Sequence, residues 1–277
     1  MKVTLWGVRG SVPTPGPATA RYGGNTSCVE VSTTDTSLVI LDAGTGICSL
    51  GAQLPADVTR IDILLTHLHM DHILGLGFFP GLYCEGLDVH LWGPSSTTGR
   101  LRERLSRYLS PPLFPVQLRE LPCRLNLHDV PLGTFEVPGL SITAALVCHP
   151  GATVGYRLTS ESAVLAYLPD HEPALGSRRF PEEPRWTSGH GLMADADLLI
   201  HDAQYTDDEY ATHVGWGHSS IGQTLALASA ADVRRLVPFH HDPGHDDARL
   251  DEMYGALARV DIAVTPARER ATFSFAS

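Results

Sequence analysis

The segment THLHMDH, residues 66–72, places three histidines and one aspartate within six positions, directly after the apolar run IDILL. Buried imidazoles and carboxylates are costly unless something pairs with them. In an extended segment alternate side chains point the same way, so His67 and His69 share one side. Asp71 and His72 follow where a helix is expected to begin. The segment supplies four side chains of the types that bind metals, and it predicts a metal centre at the end of a buried strand.

The bulk composition is that of an ordinary globular protein. The chain has 277 residues, 43% of them hydrophobic, and neither an internal repeat nor a low-complexity linker is evident, so we expect a single domain over 1–277. No apolar stretch approaches a membrane span, and the first residues, MKVTLWGVRGS, lack the apolar core of a signal peptide. We expect a cytoplasmic protein with no membrane partner.

The net charge and the spacing of the cysteines argue against a protein that binds extended nucleic acid and against a disulfide-rich or thiolate-zinc protein. The formal net charge is −11 at pH 7, which argues against an extended nucleic-acid partner held through its phosphate backbone. The five cysteines are widely spaced and form no CxxC pair, so neither a disulfide framework nor a thiolate zinc site is indicated. Histidine, with 14 residues, is unusually frequent.

Apolar runs that end in polar residues recur along the chain. Strands are expected at VTLWG, SCVEVST, SLVILDAG, IDILLT, LDVHLWGP, SITAALVCH, TVGYRLTS, AVLAYLPD, DLLIHDA and RRLVPFHHDP. Helices are expected at about 46–53, at about 96–109, at SSIGQTLALASAADV and at DDARLDEMYGALARV. This mixture of strands and helices predicts an α/β fold.

The motif HLHMDH resembles the HxHxDH signature of the metallo-β-lactamase superfamily, whose fold is a four-layered αββα sandwich. Further segments match in the order of the family and extend the resemblance over most of the chain. GGNTSC, LDAGTG and WGHSS are similar to segments of its phosphodiesterase branch, which includes cyclic nucleotide phosphodiesterases, phosphoribosyl cyclic phosphate phosphodiesterases and tRNA 3′-processing endonucleases.

The resemblance implies two divalent metal ions held by seven ligands. The first ion would be bound by His67, His69 and His149, the second by Asp71, His72 and His240, and Asp170 would bridge them. Imidazole and carboxylate ligands without a thiolate suit zinc, and they tolerate manganese or iron. His241 competes with His240 for its position, and a following proline, Pro243, favours His240 by the same resemblance.

Other residues near these positions have two interpretations each. His218 in WGHSS resembles a histidine that assists catalysis beside the metals, and together with Asp71 we expect it to be catalytic; alternatively it caps the helix that follows. Asp42 in LDAGTG either orients a ligand histidine or caps a helix. His201 either supports the site together with Asp202 or is an ordinary strand-end residue. We expect His171 and Glu172 to support Asp170.

The expected function is hydrolysis of a small phosphodiester, a 3′,5′-cyclic nucleotide or a phosphoribosyl cyclic phosphate, by a hydroxide held between two metals. The long basic arm with which the tRNA endonucleases grip their substrate has no evident equivalent here. An arginine-bearing stretch at about 96–116 either covers the metals as a lid or forms a solvated helix face. The resemblance also implies a homodimer.

Three alternative functions are retained. The first is tRNA 3′ processing or another nuclease activity. The second is hydrolysis of a β-lactam or a thioester, although those branches of the superfamily lack the WGHSS segment. The third is a non-catalytic metal-binding module on the same fold. The presence of a suitable residue at every ligand position argues against this alternative.

Overall fold

In a computed structural model the chain is described over residues 1–33, 36–173, 183–255, 257 and 262–276. The strands are β1 (Lys2–Gly7), β2 (Cys28–Ser32), β3 (Ser37–Leu41), β4 (Arg60–Leu64), β5 (Asp88–Pro94), β6 (Arg124–Val130), β7 (Gly133–Val137), β8 (Leu140–Leu146), β9 (Val154–Thr159), β10 (Val164–Leu168), β11 (Leu198–Asp202), β12 (Arg235–Phe239), β13 (Ala263–Val264) and β14 (Thr272–Ser274). The α-helices are α1 (Gly46–Gly51), α2 (Met70–Ile73), α3 (Leu101–Ser106), α4 (His190–Met193), α5 (Asp207–Tyr210), α6 (Ile221–Ala230) and α7 (Asp247–Gly255).

The strands form two mixed sheets of seven strands each. The first sheet has the order β14-β1-β2-β3-β4-β5-β6, and the second has the order β13-β12-β11-β10-β9-β8-β7. In the first sheet β3 to β6 are parallel, and in the second β10 to β13 are parallel. The remaining pairs are antiparallel.

The alternation of side chains in β10 shows how the layers are built. Leu165 and Tyr167 point into the core between the two sheets, whereas Ala166 and Leu168 point outwards to a core shared with α4 and α6. All four are fully buried, as expected for a strand that is covered on both faces. On the other side of the sandwich, α1 and α3 pack on the outer face of the first sheet. The predicted four-layered αββα sandwich is therefore confirmed.

The carboxyl ends of the parallel strands meet at one edge of the sandwich, where open α/β sheets bind their ligands. β4 leads directly into the histidine motif, and β3, β10, β11 and β12 end at or just before the predicted site residues. Among the residues described, none of the helices combines the length and the apolar composition that crossing a membrane requires.

Some local predictions differ from the structure. The helix expected at about 96–109 covers only Leu101–Ser106. It begins later than expected because Gly99 adopts a φ of 151°, which a helix cannot accommodate. The strands β6, β7, β13 and β14 were not predicted. The last predicted helix is present as α7, and residues 256 and 258–260 of that prediction lie outside the described residues.

Candidate metal centre

The histidine motif has the predicted local structure. The segment between β4 and α2 is extended, with φ −66° and ψ 154° at His69, which is the N-cap of α2. Asp71 and His72 lie in the single turn of this helix and are buried, as is His67, whereas His69 is exposed. A strand that runs straight into a helix N-terminus thus presents four side chains to one space.

Two groups of potential ligands share one carboxylate. The first group is His67, His69, His149 and Asp170, and the second is Asp71, His72, Asp170 and His240; within each group the ligand atoms lie within 4.8 Å of one another. Oδ2 of Asp170 lies 3.6 Å from Nε2 of both His67 and His149. Its Oδ1 lies 3.0 Å from Nε2 of His72 and 3.2 Å from Nε2 of His240. Asp170 therefore faces each group with a different oxygen.

The unpaired buried atoms of the cluster fit a pair of cations. Nε2 of His67, Nε2 of His72 and Oδ1 of Asp170 are buried without a hydrogen-bond partner among the described residues, a costly state unless a metal accepts their lone pairs. Tetrahedral bonds of about 2.05 Å hold ligand atoms about 3.3 Å apart. The contacts in the second group, from 3.0 to 3.3 Å, match that spacing.

Asp42 orients two of the histidines. Its Oδ2 accepts a hydrogen bond from Nδ1 of His72 at 2.8 Å and one from the Tyr167 hydroxyl at 2.9 Å. The hydroxyl of Thr66 donates to Asp42 and therefore accepts from Nδ1 of His67, 3.0 Å away. With Nδ1 protonated in both rings, each Nε2 carries a lone pair for a metal. Asp42 thus has the predicted orienting position.

The other two Nε2 ligands are held in the same way. Nδ1 of His149 donates to the carbonyl of Gly217 at 2.7 Å, and Nδ1 of His240 donates to Oε1 of Gln204 at 3.0 Å. His241 points away from the cluster, with its ring nitrogens paired to the Ala267 carbonyl and the Tyr254 hydroxyl. The geometry therefore agrees with the choice of His240 over His241.

The protonation states of the cluster also suit metal binding. Burial lowers the pKa of His67 and His149, and partial desolvation lowers that of His69, so these three rings are neutral at physiological pH, as metal ligands must be. Burial also disfavours the charged ring of His72, but the carboxylates of Asp170, Asp71 and Asp42 outweigh it and raise the pKa of His72. Burial opposes ionisation of Asp170 as well, but the surrounding imidazoles outweigh it and hold the pKa of this carboxyl well below its usual value. The first group of ligands therefore combines three neutral imidazoles with the negative charge of Asp170.

His218 forms a dyad with Asp202 beside the two groups. Its Nδ1 lies 2.7 Å from Oδ2 of Asp202, and its ring lies 5.0 Å from that of His240 and 5.1 Å from that of His149. Burial disfavours the charged ring, but the carboxylate of Asp202 outweighs burial and raises the pKa of His218 to about 9. His218 is therefore a proton donor at neutral pH. The N-cap of α6 is Ser220, so the capping role considered for His218 is wrong.

Glu172 fixes the loop that carries His218. Its carboxylate accepts hydrogen bonds from the amides of Gly215 and Gly217, the latter at 2.7 Å, and from the Tyr210 hydroxyl at 2.8 Å. Gly217 has a φ of 89°, and a Cβ there would lie 2.2 Å from Pro150, so only glycine suits this position. Glu172 therefore supports His218 and, through the Gly217 carbonyl, His149.

The sequence motifs did not identify three residues that orient the proposed ligands. Thr66, Tyr167 and Gln204 were not singled out, although each orients a ligand or its partner. Thr66 is part of the motif itself, and Gln204 follows Asp202 by two positions. His201 lies behind the site, where its Nε2 is 2.9 Å from Nδ1 of His171.

A cavity of about 1100 Å³ opens beside the first group of ligands, and His67 and His69 form part of its wall. Arg104, Arg107 and Tyr108, from α3 and the residues after it, also line the cavity. The other two arginines of that predicted segment are exposed. The arginine-bearing stretch thus borders the cavity through Arg104 and Arg107 and exposes its other two arginines to solvent, and its role as a lid stays a prediction.

Two mixed sheets between helices, with imidazoles and carboxylates gathered at the strand ends, define a hydrolase of the metallo-β-lactamase fold. The chain belongs to the beta-lactamase superfamily, because the model of the Beta-lactamase superfamily domain matches residues 38–241.

Relatives and solved structures agree with this assignment. The chain is 31% identical to Uncharacterized protein Mb1374 of Mycobacterium bovis over 94% of this chain and 87% of that protein, and 30% identical to Ribonuclease Z of Nocardia farcinica over 77% and 81%. Similar folds include metallo-beta-lactamase fold protein YhfI from Bacillus subtilis (TM-score 0.72, 17% identity, 98% of each chain), Zn²⁺-bound PqqB from Methylobacterium extorquens (0.70, 23%, 99% of this chain and 100% of that one) and a diphosphatase of the PhnP family (0.69, 17%, 99% and 98%).

Proposed function

We propose that the protein is a dinuclear-metal phosphodiesterase that hydrolyses a small phosphodiester. The observation that carries this proposal is the position of the His218–Asp202 dyad beside two ligand groups that share Asp170. Two bound cations would supply the charge that neutralises a phosphoryl group and activates water. A protonated imidazole next to them is what a departing alkoxide requires.

The side chains would divide the work as follows. Asp170 and Asp71 place negative charge between the imidazoles, which keeps both cations close to the phosphoryl oxygens. His218 donates its Nε2 proton to the leaving oxygen, while Asp202 holds Nδ1 and stabilises the charged ring. This geometry supports the proposed set of seven ligands and the proposed catalytic roles of His218 and Asp71.

Zinc is the proposed metal for both positions. Neutral imidazoles outnumber carboxylates in the site, thiolates are missing from the two described ligand groups, and the ligand spacing suits tetrahedral coordination. Manganese and iron accept the same donors. A fold neighbour, PqqB, carries Zn²⁺ in its solved structure.

Ribonuclease activity is the second candidate, because curated relatives carry the name Ribonuclease Z. Two features favour a small substrate. The net charge of −11 opposes binding of a polyanion. The described wall of the cavity beside the ligands contains only two cationic side chains, Arg104 and Arg107. A cyclic nucleotide and a phosphoribosyl cyclic phosphate are both small phosphodiesters of the proposed kind.

Metal analysis of the purified protein, combined with a substrate screen, tests this proposal. The screen includes bis(p-nitrophenyl) phosphate, cyclic nucleotides, a precursor tRNA, nitrocefin and a thioester. We expect two metal ions per chain and hydrolysis of phosphodiesters only. His218→Ala should lower kcat by about 10²- to 10⁴-fold at unchanged metal content. His190→Ala is the control, since Nε2 of His190 donates to the Ala230 carbonyl at 3.4 Å and the residue belongs to neither ligand group. Preferential cleavage of the tRNA or of nitrocefin would refute the proposal.

Single-domain organisation over 1–277, a homodimeric state and a cytoplasmic location complete the proposal. Each of them stays a prediction from the sequence.

A further inference from the structure

The cavity beside the metal centre has walls that the proposed reaction does not require. Its described lining is mainly apolar, and eight aliphatic or thioether side chains contribute to it: Leu68, Met70, Ile73, Leu113, Leu132, Leu146, Ala152 and Val154. A phosphate group and its water need no such surface. The volume, about 1100 Å³, is at the upper end of small-molecule pockets.

Three leucines of this wall lie unusually open to solvent. Leu113 is 70% exposed, Leu132 58% and Leu146 60%, and they come from three separate segments of the chain. Single exposed apolar residues are ordinary, but three that converge on one cavity form a patch, and such patches mark binding sites. Covering them would stabilise a complex by removing apolar surface from water.

The charges on the cavity wall favour an anionic ligand. Arg104 and Arg107 line the cavity, and none of its described lining residues is a carboxylate. The guanidinium of Arg104 donates to the carbonyl of Pro94, whereas its Nε is buried without a partner among the described residues. In a chain with a net charge of −11, this local excess of positive charge selects for a negatively charged ligand.

We propose that the substrate is a phosphodiester with a large apolar substituent, an alkyl or aryl group of about six carbons or more, which lies against this wall while the phosphate meets the metals. The inference rests on the proposed phosphodiesterase function and specifies its substrate. The cavity is continuous with the metal centre because His67 and His69 belong to both. Leu113, Leu132 and Leu146 are therefore the specificity-determining residues.

This substrate class differs from the two small phosphodiesters expected from the sequence. A phosphoribosyl cyclic phosphate offers hydroxyls and further phosphate groups, which gain nothing from leucine side chains. A cyclic nucleotide has an aromatic base but also a polar ribose. A continuous apolar substituent matches the apolar part of the wall.

A pair of chromogenic substrates tests the inference. The metal-loaded protein is assayed with p-nitrophenyl methyl phosphate and p-nitrophenyl hexyl phosphate, which share the reacting phosphorus and the leaving group. We expect kcat/KM for the hexyl ester to exceed that for the methyl ester at least about tenfold, since each buried methylene adds to binding. Thymidine 5′-(p-nitrophenyl) phosphate provides a polar substituent of larger size and should be no better than the methyl ester.

The substitutions Leu146→Asn and Leu113→Asn test whether these leucines cause the preference for the hexyl ester. Both side chains are exposed, so the fold should tolerate the changes, and each variant should lose most of the hexyl preference, measured as the ratio of kcat/KM for the two alkyl esters. Tyr83→Asn, at an exposed position outside the described cavity lining, should retain the preference. Equal rates for the two alkyl esters, or a preference for the thymidine ester, would overturn the inference and leave the phosphodiesterase proposal intact. Failure to hydrolyse any ester would instead refute the proposed function.

Discussion

The carboxylate of Asp202 lies 2.7 Å from Nδ1 of His218, while its other oxygen accepts a hydrogen bond from the backbone amide of Gln204 at 3.0 Å. The side chain of Gln204 in turn orients His240. The carboxyl end of β11 therefore positions both the proposed proton donor and a proposed ligand of the second metal. A displacement of this strand end would disturb binding and proton transfer together.

Replacing Asp202 with asparagine should move the alkaline limb of the pH–rate profile. As the proposed proton donor His218 must be protonated, so activity should fall as pH rises through about 9, the pKa to which Asp202, with Asp170 and Asp71, raises it against burial. Without the carboxylate of Asp202, only Asp170 and Asp71 oppose the effect of burial on the pKa of His218, so the limb should move down towards the ordinary histidine value of about 6.5. The profile of kcat against pH for both proteins checks this.

The free energy of unfolding should also depend on pH through the pKa of His218. The raised pKa of folded His218 contributes stability that is fully present below its unfolded pKa, about 6.5, and is lost as pH rises through about 9. Asp202→Asn should therefore destabilise the protein more at pH 6 than at pH 10 in urea unfolding. An alkaline limb unchanged in the variant would show that His218 is not the group that titrates.

Asp42→Asn should weaken metal binding. Oδ1 of Asp42 accepts hydrogen bonds from Thr66 and Oδ2 accepts from His72, and an asparagine has only one acceptor oxygen. One of these partners would then face an amide N–H₂ group. We expect about 10- to 100-fold lower zinc affinity, measured by competition with a chelator. Asp62→Asn is the control, because this buried carboxylate pairs with Trp92 and Arg60 away from the site. Equal affinity losses in the two variants would mean that Asp42 has only a general structural role.

The sequence predicted those parts of the fold that depend on local patterns. β4, β10 and β12 are short apolar runs with polar ends. The HxHxDH spacing brings its side chains together, since two alternate residues of an extended segment and the following helical turn can point to one space. The resemblance to the superfamily then supplied the distant residues His149, Asp170 and His240, which no local pattern could link.

Local patterns did not predict β6 and β7, for a physical reason. The side chains of β6 are mostly half-buried or exposed, as are those of β7, so hydrophobic alternation is weak in both. Their pairing at the sheet edges comes from tertiary contacts. The role of Gln204 was equally hidden, because a hydrogen bond to a ligand 36 positions away leaves no periodic signal.

Removing the metals should lower the melting temperature. The unpaired buried Nε2 atoms of His67 and His72 gain partners only when cations are bound. A ligand present at 100 times its Kd stabilises a protein by about 2.7 kcal/mol, which corresponds to about 5–10 °C for a chain of this size. Scanning fluorimetry with and without EDTA measures the shift. His240→Ala should reduce it, and His128→Ala, whose ring pairs with His90 away from the site, should not. An EDTA shift as large in His240→Ala as in the native protein would contradict the assignment of His240 as a ligand.

Glu172→Gln should impair turnover more than substrate binding. Both oxygens of Glu172 accept backbone N–H groups from Gly215 and Gly217, and the amide group of a glutamine would place an N–H donor against one of them. The loop should then shift, and with it His218 and the Gly217 carbonyl that holds His149. We expect kcat to fall about tenfold or more, since small displacements of catalytic groups are costly, while KM changes little. Glu209→Gln, a substitution in the nearby α5, serves as the control for general destabilisation. If KM rose and kcat stayed constant in Glu172→Gln, the loop would contribute to substrate binding and not to the positioning of the proton donor.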